Sequence, residues 1–397
     1  MEARAALSAG EEEFLEKSFY LDEFHEKTLL FAIAPGITDE SSLASFLATM
    51  RELIREDARI VVVVAEVETA RRLEGRFRRL AAASLSEPLF PAEEEGKRRS
   101  IVVETRAGEA DLGSLMRLWS LLRAGPIAVV RVPEVSWIDI ARFAVDLAAR
   151  LKVHKLVLID PEGGVSQDQT LSFLDESVLS TLLAAGQAEW AGIGHRRPLI
   201  DAIREGLLRG VPSINLCTLP GLARELYTYE GSGTLFTLED YCRIERLGID
   251  DFREVERLLE RGQREGFLKI RSREEIGEIL FTGFGATIGS GAGHLAGVAS
   301  LLADRYRGDA TGEVVALYTL NRFKGEGVGV KLLARVLAEA RGQGLPSVFA
   351  CTTEERAAQF FVRNGFVRVT PADVPAAKWV GYDPERLGRL VVLRREL

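Results

Sequence analysis

Short apolar runs alternate with amphipathic stretches along the first 238 residues. Continuous β-branched and aliphatic runs are typical of strands buried on both faces of a parallel sheet, and apolar positions three or four residues apart predict helices. The predicted strands are 29–33, 60–64, 101–103, 127–132, 155–159 and 213–216. The predicted helices are 11–27, 43–54, 66–80, 137–151 and 199–208. This alternation indicates an α/β domain with a mostly parallel sheet.

The pattern changes after residue 238, so we predict two domains, 1–238 and 239–397. A helix is expected at 252–262 and a further helix from about residue 330. Strands are expected at 278–282, 294–302 and 313–319, with the glycine-rich linker 283–293 as a hairpin turn.

A glycine-rich turn separates the strand at 313–319 from the helix that follows it. The turn reads Lys324-Gly325-Glu326-Gly327-Val328-Gly329. Glycines let backbone N–H groups approach an anion, and a helix N-terminus adds a positive dipole end, so the turn predicts a phosphate-bearing cofactor. A dinucleotide fold is disfavoured because only roughly 70 residues follow the turn, and a P-loop is disfavoured because no Gly-Lys-Ser or Gly-Lys-Thr closes it. An ordinary αβ loop is the alternative.

Composition narrows the class of protein. A chain of 397 residues with 47% hydrophobic and 28% charged residues is typical of a two-domain globular protein. The net charge of −8 argues against a nucleic-acid partner. No apolar run reaches 18 residues and no signal peptide is evident, so no membrane partner and a cytoplasmic location are expected. The cysteines at 217, 242 and 351 show no ligand spacing and there are four histidines, so no metal site is predicted.

The turn resembles the basic-x-x-Gly-x-Gly turn of GNAT acetyltransferases, with Lys324 in the place usually held by Arg or Gln; a register starting at Arg322 is the alternative. Nearly the whole chain resembles the N-acetylglutamate synthase family, in which an amino-acid-kinase-like domain precedes a GNAT domain. The supporting stretches are residues 155–160, 225–228, 231–234, 271–274, 312–313, 352–353, 360–361 and 364–366, with Lys378, Tyr382 and Arg386.

The resemblance implies a fold, a reaction and a set of site residues. The fold would be a three-layer α/β sandwich with a mostly parallel sheet, followed by a GNAT α/β domain. The reaction would transfer acetyl from acetyl-CoA, the expected cosubstrate, to the α-amine of glutamate, the entry to arginine synthesis. The strand before the turn would splay from its neighbour, and backbone groups of Leu317 and Thr319 would contact the cofactor while residues 324–329 bind its pyrophosphate. Glu313 would be the general base and Thr352 would assist proton transfer to the leaving thiolate.

The acceptor site is less well matched. Leu268, Arg271, Lys378 and Arg386 lie at positions that match the family's substrate-binding segments. The chain departs from the family at Ile270, where a second basic residue is common, and at Gly388, where a serine is common. If Ile270 occupied a carboxylate-contacting position, a less acidic amino acid would become the acceptor. Phe361 stands where many GNAT enzymes carry a tyrosine acid.

The first domain departs further from its family. The kinase needs glycine-rich loops after its first two strands, but residues 32–36 and 64–67 provide one glycine, Gly36. We therefore predict no kinase activity and assign the domain to homo-oligomer formation and, by resemblance, to sensing of arginine near Glu225 and Gly233. The alternatives to an amino-acid acetyltransferase are a non-catalytic regulator that binds acetyl-CoA or arginine, and an acetyltransferase for protein lysines or another amine.

Overall fold

The computed structural model describes the chain except residues 1–16, 18, 19, 22, 37–39, 85–99, 107, 109, 166–170, 185–193, 229, 230, 239–241, 289–293, 321–327, 381 and 383–387. The chain divides into two compact units, Met1–Glu239 (unit 1) and Asp240–Leu397 (unit 2).

Unit 1 is built on a sheet whose described part has eight strands in the order β3-β4-β2-β1-β5-β7-β8-β6. The strands are β1 Thr28–Ile33, β2 Arg59–Val64, β3 Val102–Glu104, β4 Ile127–Arg131, β5 Lys155–Ile159, β6 Phe173–Asp175, β7 Ser213–Cys217 and β8 Thr234–Thr237. Every pair is parallel except β7 with β8. The predicted mostly parallel sheet is confirmed.

Helices cover both faces of this sheet. They are α1 Glu40–Arg55, α2 Val67–Ser84, α3 Leu112–Ala124, α4 Trp137–Leu151, α5 Glu176–Ala184, α6 Arg197–Leu208 and α7 Leu222–Tyr227. Alternate residues of the central strands point to opposite faces, so β1 sends Leu30 and Ala32 into one apolar core and Phe31 and Ile33 into the other. A strand buried on both faces is continuously apolar, which is why these strands were recognisable in the sequence.

Unit 2 has a sheet whose described part contains seven strands in the order β14-β15-β13-β12-β11-β10-β9. The strands are β9 Cys242–Arg246, β10 Gly283–Ile288, β11 His294–Leu302, β12 Thr311–Thr319, β13 Ser347–Thr352, β14 Val367–Val369 and β15 Val391–Glu396. The helices are α8 Phe252–Arg264, α9 Arg273–Thr282, α10 Val328–Gly342 and α11 Glu355–Arg363. All pairs are antiparallel except β12 with β13, which is parallel.

One predicted element is wrong: residues 278–282 are not a strand but the last turns of α9. Ser272 begins this helix, because its hydroxyl accepts the N–H of Glu275 and the Glu275 carboxylate accepts the N–H of Ser272. The strand begins only at Gly283, where an added Cβ would lie 2.4 Å from the carbonyl oxygen of Ile279. The antiparallel pairing of β10 with β11 fits the predicted hairpin, but residues 283–288 of the predicted linker are a strand, and residues 289–293 lie outside the described residues.

Other predicted elements lie where expected, with ends shifted by a few residues, and α4 and β5 match residue for residue. The predicted helix at 11–27 falls partly outside the described residues, although positions 20, 21, 23 and 24 are helical. No described helix is both long and apolar enough to cross a membrane.

Candidate active site

The sheet of unit 2 opens between its two parallel strands. β12 and β13 pair at three positions, from Thr311 with Ser347 to Glu313 with Phe349. Beyond Glu313, β12 continues to Thr319 and β13 continues to Thr352 with no further pairing between them among the described residues. The predicted splay of this strand is therefore present, and it creates a cleft whose wall is strand backbone.

A β-bulge at Ala316 lies just beyond the last pair of β12 with β13. Ala316 has φ +56°, which is uncommon for a residue with a side chain, and it lies inside a strand. On the other side of β12 the pairing shifts there, since Val298 pairs with Tyr318 while Ser300 pairs with Val315. The extra residue bends the strand and turns its backbone away from β13.

Glu313 lies at the point where the two strands part. Its side chain is buried, and its two oxygens have different partners. Lys378 Nζ donates to Oε1, and the hydroxyl of Tyr306 donates to Oε2 at 2.8 Å. The carboxylate is thus buried, with a partner on each oxygen, and is not a solvated group at a strand edge.

Tyr306 was missed in the sequence. It lies in the short 3-10 segment Asp304–Asp309, which carries no helical or strand periodicity, and the only signal was an aromatic residue within a charged stretch. Its ring packs edge-on against Phe349, with the centroids 5.1 Å apart, and burial next to Glu313 raises its pKa. The neighbouring Cys351 is a free thiol, and burial raises its pKa to about 12.

The far end of the cleft is formed by the segment that leads into α9. Lys269 and Arg271 line the cleft, whereas Ile270 does not, and the Ile270 side chain is 83% exposed. Lys269 Nζ lies 2.5 Å from Glu275 Oε1, and Arg271 Nη1 donates to the backbone oxygen of Lys269 at 3.2 Å. Ile270 therefore does not line this cleft, so the condition under which a less acidic acceptor was expected is not met. Lys269 was missed because its position did not match the motif.

Six of the predicted site residues line this one cleft: Leu268, Arg271, Glu313, Leu317, Thr352 and Lys378. Thr319 is buried further along β12 and does not line it. Val328 and Gly329 form the first turn of α10, which begins two residues before the predicted start. The remaining calls lie outside the described residues: Lys324, Gly325, Glu326, Gly327 and Arg386.

Among the described residues that line the cleft, three carry hydroxyl groups: Thr352, Thr353 and Tyr382. Thr352 Oγ1 accepts the N–H of Glu354 at 3.0 Å, which leaves its hydroxyl proton available for donation. Phe361 also lines the cleft, packed edge-on against Phe366. Tyr382 thus supplies a phenol in the cleft, although Phe361 takes the place of the tyrosine expected in many GNAT enzymes.

In unit 1, Glu225 and Gly233 are in direct contact. Glu225 Oε2 accepts the N–H groups of Ser232 and Gly233, each at 2.7 Å, and Asn215 Nδ2 donates to Oε1. The carboxylate is buried, and Asn215 links it to the ammonium of Lys155 at 3.0 Å. The structure brings these two predicted residues together through a network that fixes the loop before β8.

The carboxyl end of the unit 1 sheet is occupied by the chain's own side chains. Glu66 Oε1 accepts the N–H of Gly36 at 3.1 Å, at the place where a kinase would need backbone donors for phosphate. At the end of β5, Asp160 is paired with the buried Arg196, whose guanidinium also donates to the backbone oxygens of residues 163 and 164. Within the described part of the chain, no group of three or more His, Cys, Asp and Glu side chains could hold a metal ion.

Comparison with known proteins identifies the second unit. Residues 252–366 match the Acetyltransferase (GNAT) family. The region from α8 to the residue before β14 is therefore a GNAT domain, and the splayed strands and the turn lie inside it.

Longer alignments link the chain to amino-acid acetyltransferases. It is 26% identical over 298 residues to the amino-acid acetyltransferase of Edwardsiella ictaluri, covering 72% of this chain and 65% of that protein. It is 30% identical over 262 residues to the enzyme of Azotobacter vinelandii, covering 64% and 56%. The chain thus spans less than two thirds of the length of these relatives.

A solved structure matches nearly the whole chain. The N-acetylglutamate synthase of Neisseria gonorrhoeae, complexed with coenzyme A and L-arginine, aligns with 98% of this chain and all of that one, at a TM-score of 0.59 and 20% identity. At this identity the match shows the fold. The predicted fold class and the resemblance to the N-acetylglutamate synthase family are confirmed.

Proposed function

We propose that the chain is an N-acetyltransferase that moves acetyl from acetyl-CoA to the α-amine of an amino acid, with L-glutamate as the acceptor. The observation that carries the proposal is the Glu313–Lys378 ion pair beside the splayed strands. The names of the relatives point to the same reaction, since two are amino-acid acetyltransferases and one is an N-acetylglutamate synthase.

The ion pair complements an amino-acid head group. An amino-acid zwitterion carries an ammonium and a carboxylate on one carbon, so its ammonium can lie against Glu313 while its carboxylate lies against Lys378. A simple amine or a protein lysine lacks this adjacent carboxylate and would leave Lys378 without a substrate partner. This arrangement favours an α-amino acid over the other amines.

The same geometry assigns roles in the reaction. Glu313 takes a proton from the ammonium, the freed amine attacks the thioester carbonyl, and the tetrahedral oxyanion forms against the backbone N–H groups of the splayed strand near Leu317. When the carbon–sulfur bond breaks, the second proton of the attacking nitrogen passes to the thiolate through a hydroxyl of the cleft, Thr352 or Tyr382, which gives up one proton and regains another. The residues that would hold the pyrophosphate are 324–329, of which Val328 and Gly329 begin α10.

Two further assignments accompany the activity. We place the enzyme in the cytoplasm as a homo-oligomer, and both stay predictions from the sequence. Arginine is proposed as an effector of unit 1, on the strength of the arginine complex of the Neisseria gonorrhoeae protein. Glu225 would then shape the effector loop through Ser232 and Gly233, because both of its oxygens are already engaged.

A thiol-release assay with acetyl-CoA tests the activity. Glutamate should give the highest kcat/KM in a panel of glutamate, aspartate, glutamine, leucine and a lysine peptide. Binding of coenzyme A without turnover on any amine would overturn the proposal in favour of a regulator. Turnover on the peptide alone would make the chain a protein acetyltransferase.

A further inference from the structure

The segment before α9 carries a basic side chain that the motif did not include. We propose that Lys269, with Arg271, binds the side-chain carboxylate of an acidic acceptor and so selects it over a neutral one. This inference rests on the proposed function and names the residue that sets its specificity. The family commonly has a second basic residue at position 270, where this chain has isoleucine. The proposal gives the role of that basic residue to Lys269, one position earlier.

The first argument is the direction of the side chains. Lys269 and Arg271 both line the cleft that holds Glu313, whereas Ile270 points away and is 83% exposed. An apolar residue at 270 therefore removes no contact from the acceptor site. The two cations flanking it supply a charged end wall to the cleft.

The second argument comes from a carboxylate that already occupies this wall. Glu275 accepts hydrogen bonds from Lys269 Nζ at 2.5 Å and from the N–H of Ser272 at 3.0 Å. Burial raises the pKa of Glu275, but these hydrogen bonds and the charges of Lys269 and Arg271 outweigh burial, so the net pKa is lowered. A substrate carboxylate placed near the same cations is stabilised by the same field.

The third argument is the balance of charge. Among the described residues that line the cleft there are four cations and three carboxylates, a balance of +1: Lys269, Arg271, Arg305 and Lys378 against Glu275, Glu278 and Glu313. Arg305 is paired with Glu278, and Lys378 is paired with Glu313. The other two cations, Lys269 and Arg271, lie with Glu275 at the segment that leads into α9, so this end of the lining contributes the net charge of +1. Glutamate carries a net charge of −1 at neutral pH and neutralises it, whereas a neutral amino acid does not.

Glutamine is the matched probe, because it has the shape of glutamate without the charge. Lys269→Met should lower kcat/KM for glutamate by about 10- to 100-fold, the usual loss for one charge-assisted hydrogen bond. The value for glutamine should stay within about twofold, and the KM for acetyl-CoA should not change. Lys269→Arg should keep most of the preference for glutamate, and Ile270→Ala serves as the neighbouring control with no expected change.

Substitution of Lys269 also removes the hydrogen-bond partner of Glu275. A second variant is therefore needed to separate an effect on substrate selectivity from an effect on local packing. Lys269→Met combined with Glu275→Gln removes the uncompensated carboxylate and should keep the altered glutamate-to-glutamine ratio at wild-type thermal stability. An equal loss on both substrates, or no loss on either, would overturn the role of Lys269 while leaving the acetyltransferase activity intact. A wild-type protein that acetylates neither amino acid would overturn the proposed function itself, and the role of Lys269 with it.

Discussion

The two sheets of this chain differ in what fills the edge where a ligand would bind. In unit 1 the carboxyl ends of the parallel strands are closed by internal contacts, with Glu66 on the N–H of Gly36 and Arg196 on Asp160. In unit 2 the parallel pair β12 and β13 separates after three positions, and the gap is lined by charged side chains.

The difference shows that a fold and a site depend on different residues. The central strands of unit 1 are continuously apolar, whereas strands of unit 2 such as β9 carry charged residues, and in both units the buried apolar positions decide the architecture. Whether the edge binds a ligand is decided by a few local features: a carboxylate at residue 66 in one unit, and the bulge at Ala316 in the other. We therefore expect substitutions in unit 2 to change turnover and those in unit 1 to change stability.

The largest effect is expected for Glu313→Gln. The amide keeps the shape of the side chain but cannot take the proton of the acceptor, so kcat should fall by about 10²- to 10⁴-fold, the usual contribution of general acid–base catalysis. The KM for acetyl-CoA should stay within about twofold, because the change lies on the acceptor side. Steady-state kinetics of thiol release measure both values.

The comparison between the units supplies the control. Glu205→Gln changes an exposed carboxylate of unit 1 and should leave kcat unaltered. Unchanged turnover in Glu313→Gln would remove Glu313 from the mechanism. Circular dichroism and thermal melting establish that both variants are folded.

Arg196→Met should have the largest effect on stability. Removal of the guanidinium leaves Asp160 buried without its ion-pair partner and leaves two backbone oxygens without their donors. Such a loss costs about 3–5 kcal/mol in the free energy of unfolding. Urea unfolding of unit 1 measures it. Arg197→Met alters the exposed neighbour and should cost far less; equal costs would mean that the buried pair has no special role.

The elements of the fold that the sequence predicted are those whose burial leaves a pattern of apolar residues. The strands of unit 1 were predictable because burial on both faces makes a strand continuously apolar. The helix α4 was predictable because burial on one face places apolar residues three or four positions apart. The strand β10 was misplaced because its two glycines look like linker residues, although Gly283 lies where the backbones of the helix and the next strand approach closely and Gly285 packs against leucine side chains. Close backbone approach leaves no pattern in a single sequence.

The candidate site was predictable only where a residue matched a motif. Glu313, Lys378 and Arg271 matched, and the structure places all three in one cleft. Tyr306 and Lys269 matched no motif. Tyr306 lies in a 3-10 turn and contacts Glu313 on a strand, and Lys269 lies in an irregular segment and contacts Glu275, a capping residue of α9. Periodicity in the sequence does not predict such contacts. Ion pairing of Lys378 with Glu313 was equally invisible, because 65 residues separate the two.

A smaller effect is expected where the strand bends. Ala316→Val places a β-branched residue at φ +56° and should destabilise unit 2 by about 1–2 kcal/mol. The strand would then straighten toward β13 and narrow the cleft, so the KM for acetyl-CoA should rise. Ala316→Gly accepts this conformation without strain and should keep the wild-type KM. A thermal melt and steady-state kinetics measure the two quantities, and a wild-type KM in Ala316→Val would show that the bulge does not hold the cleft open.

The smallest effect is expected at the closed edge of unit 1. Glu66 accepts the N–H of Gly36 and the hydroxyl of Thr69, so Glu66→Ala should cost about 0.5–1.5 kcal/mol in the free energy of unfolding, whereas Glu68→Ala in the next turn should cost less. Neither the wild-type chain nor Glu66→Ala should bind ATP in a calorimetric titration, because one exposed N–H is no substitute for two glycine loops. Saturable ATP binding by the wild-type chain would show that the internal carboxylate does not close this edge, and the contrast between the two sheets would fail. Binding by Glu66→Ala alone would instead show that a single carboxylate is what separates a closed edge from an open one.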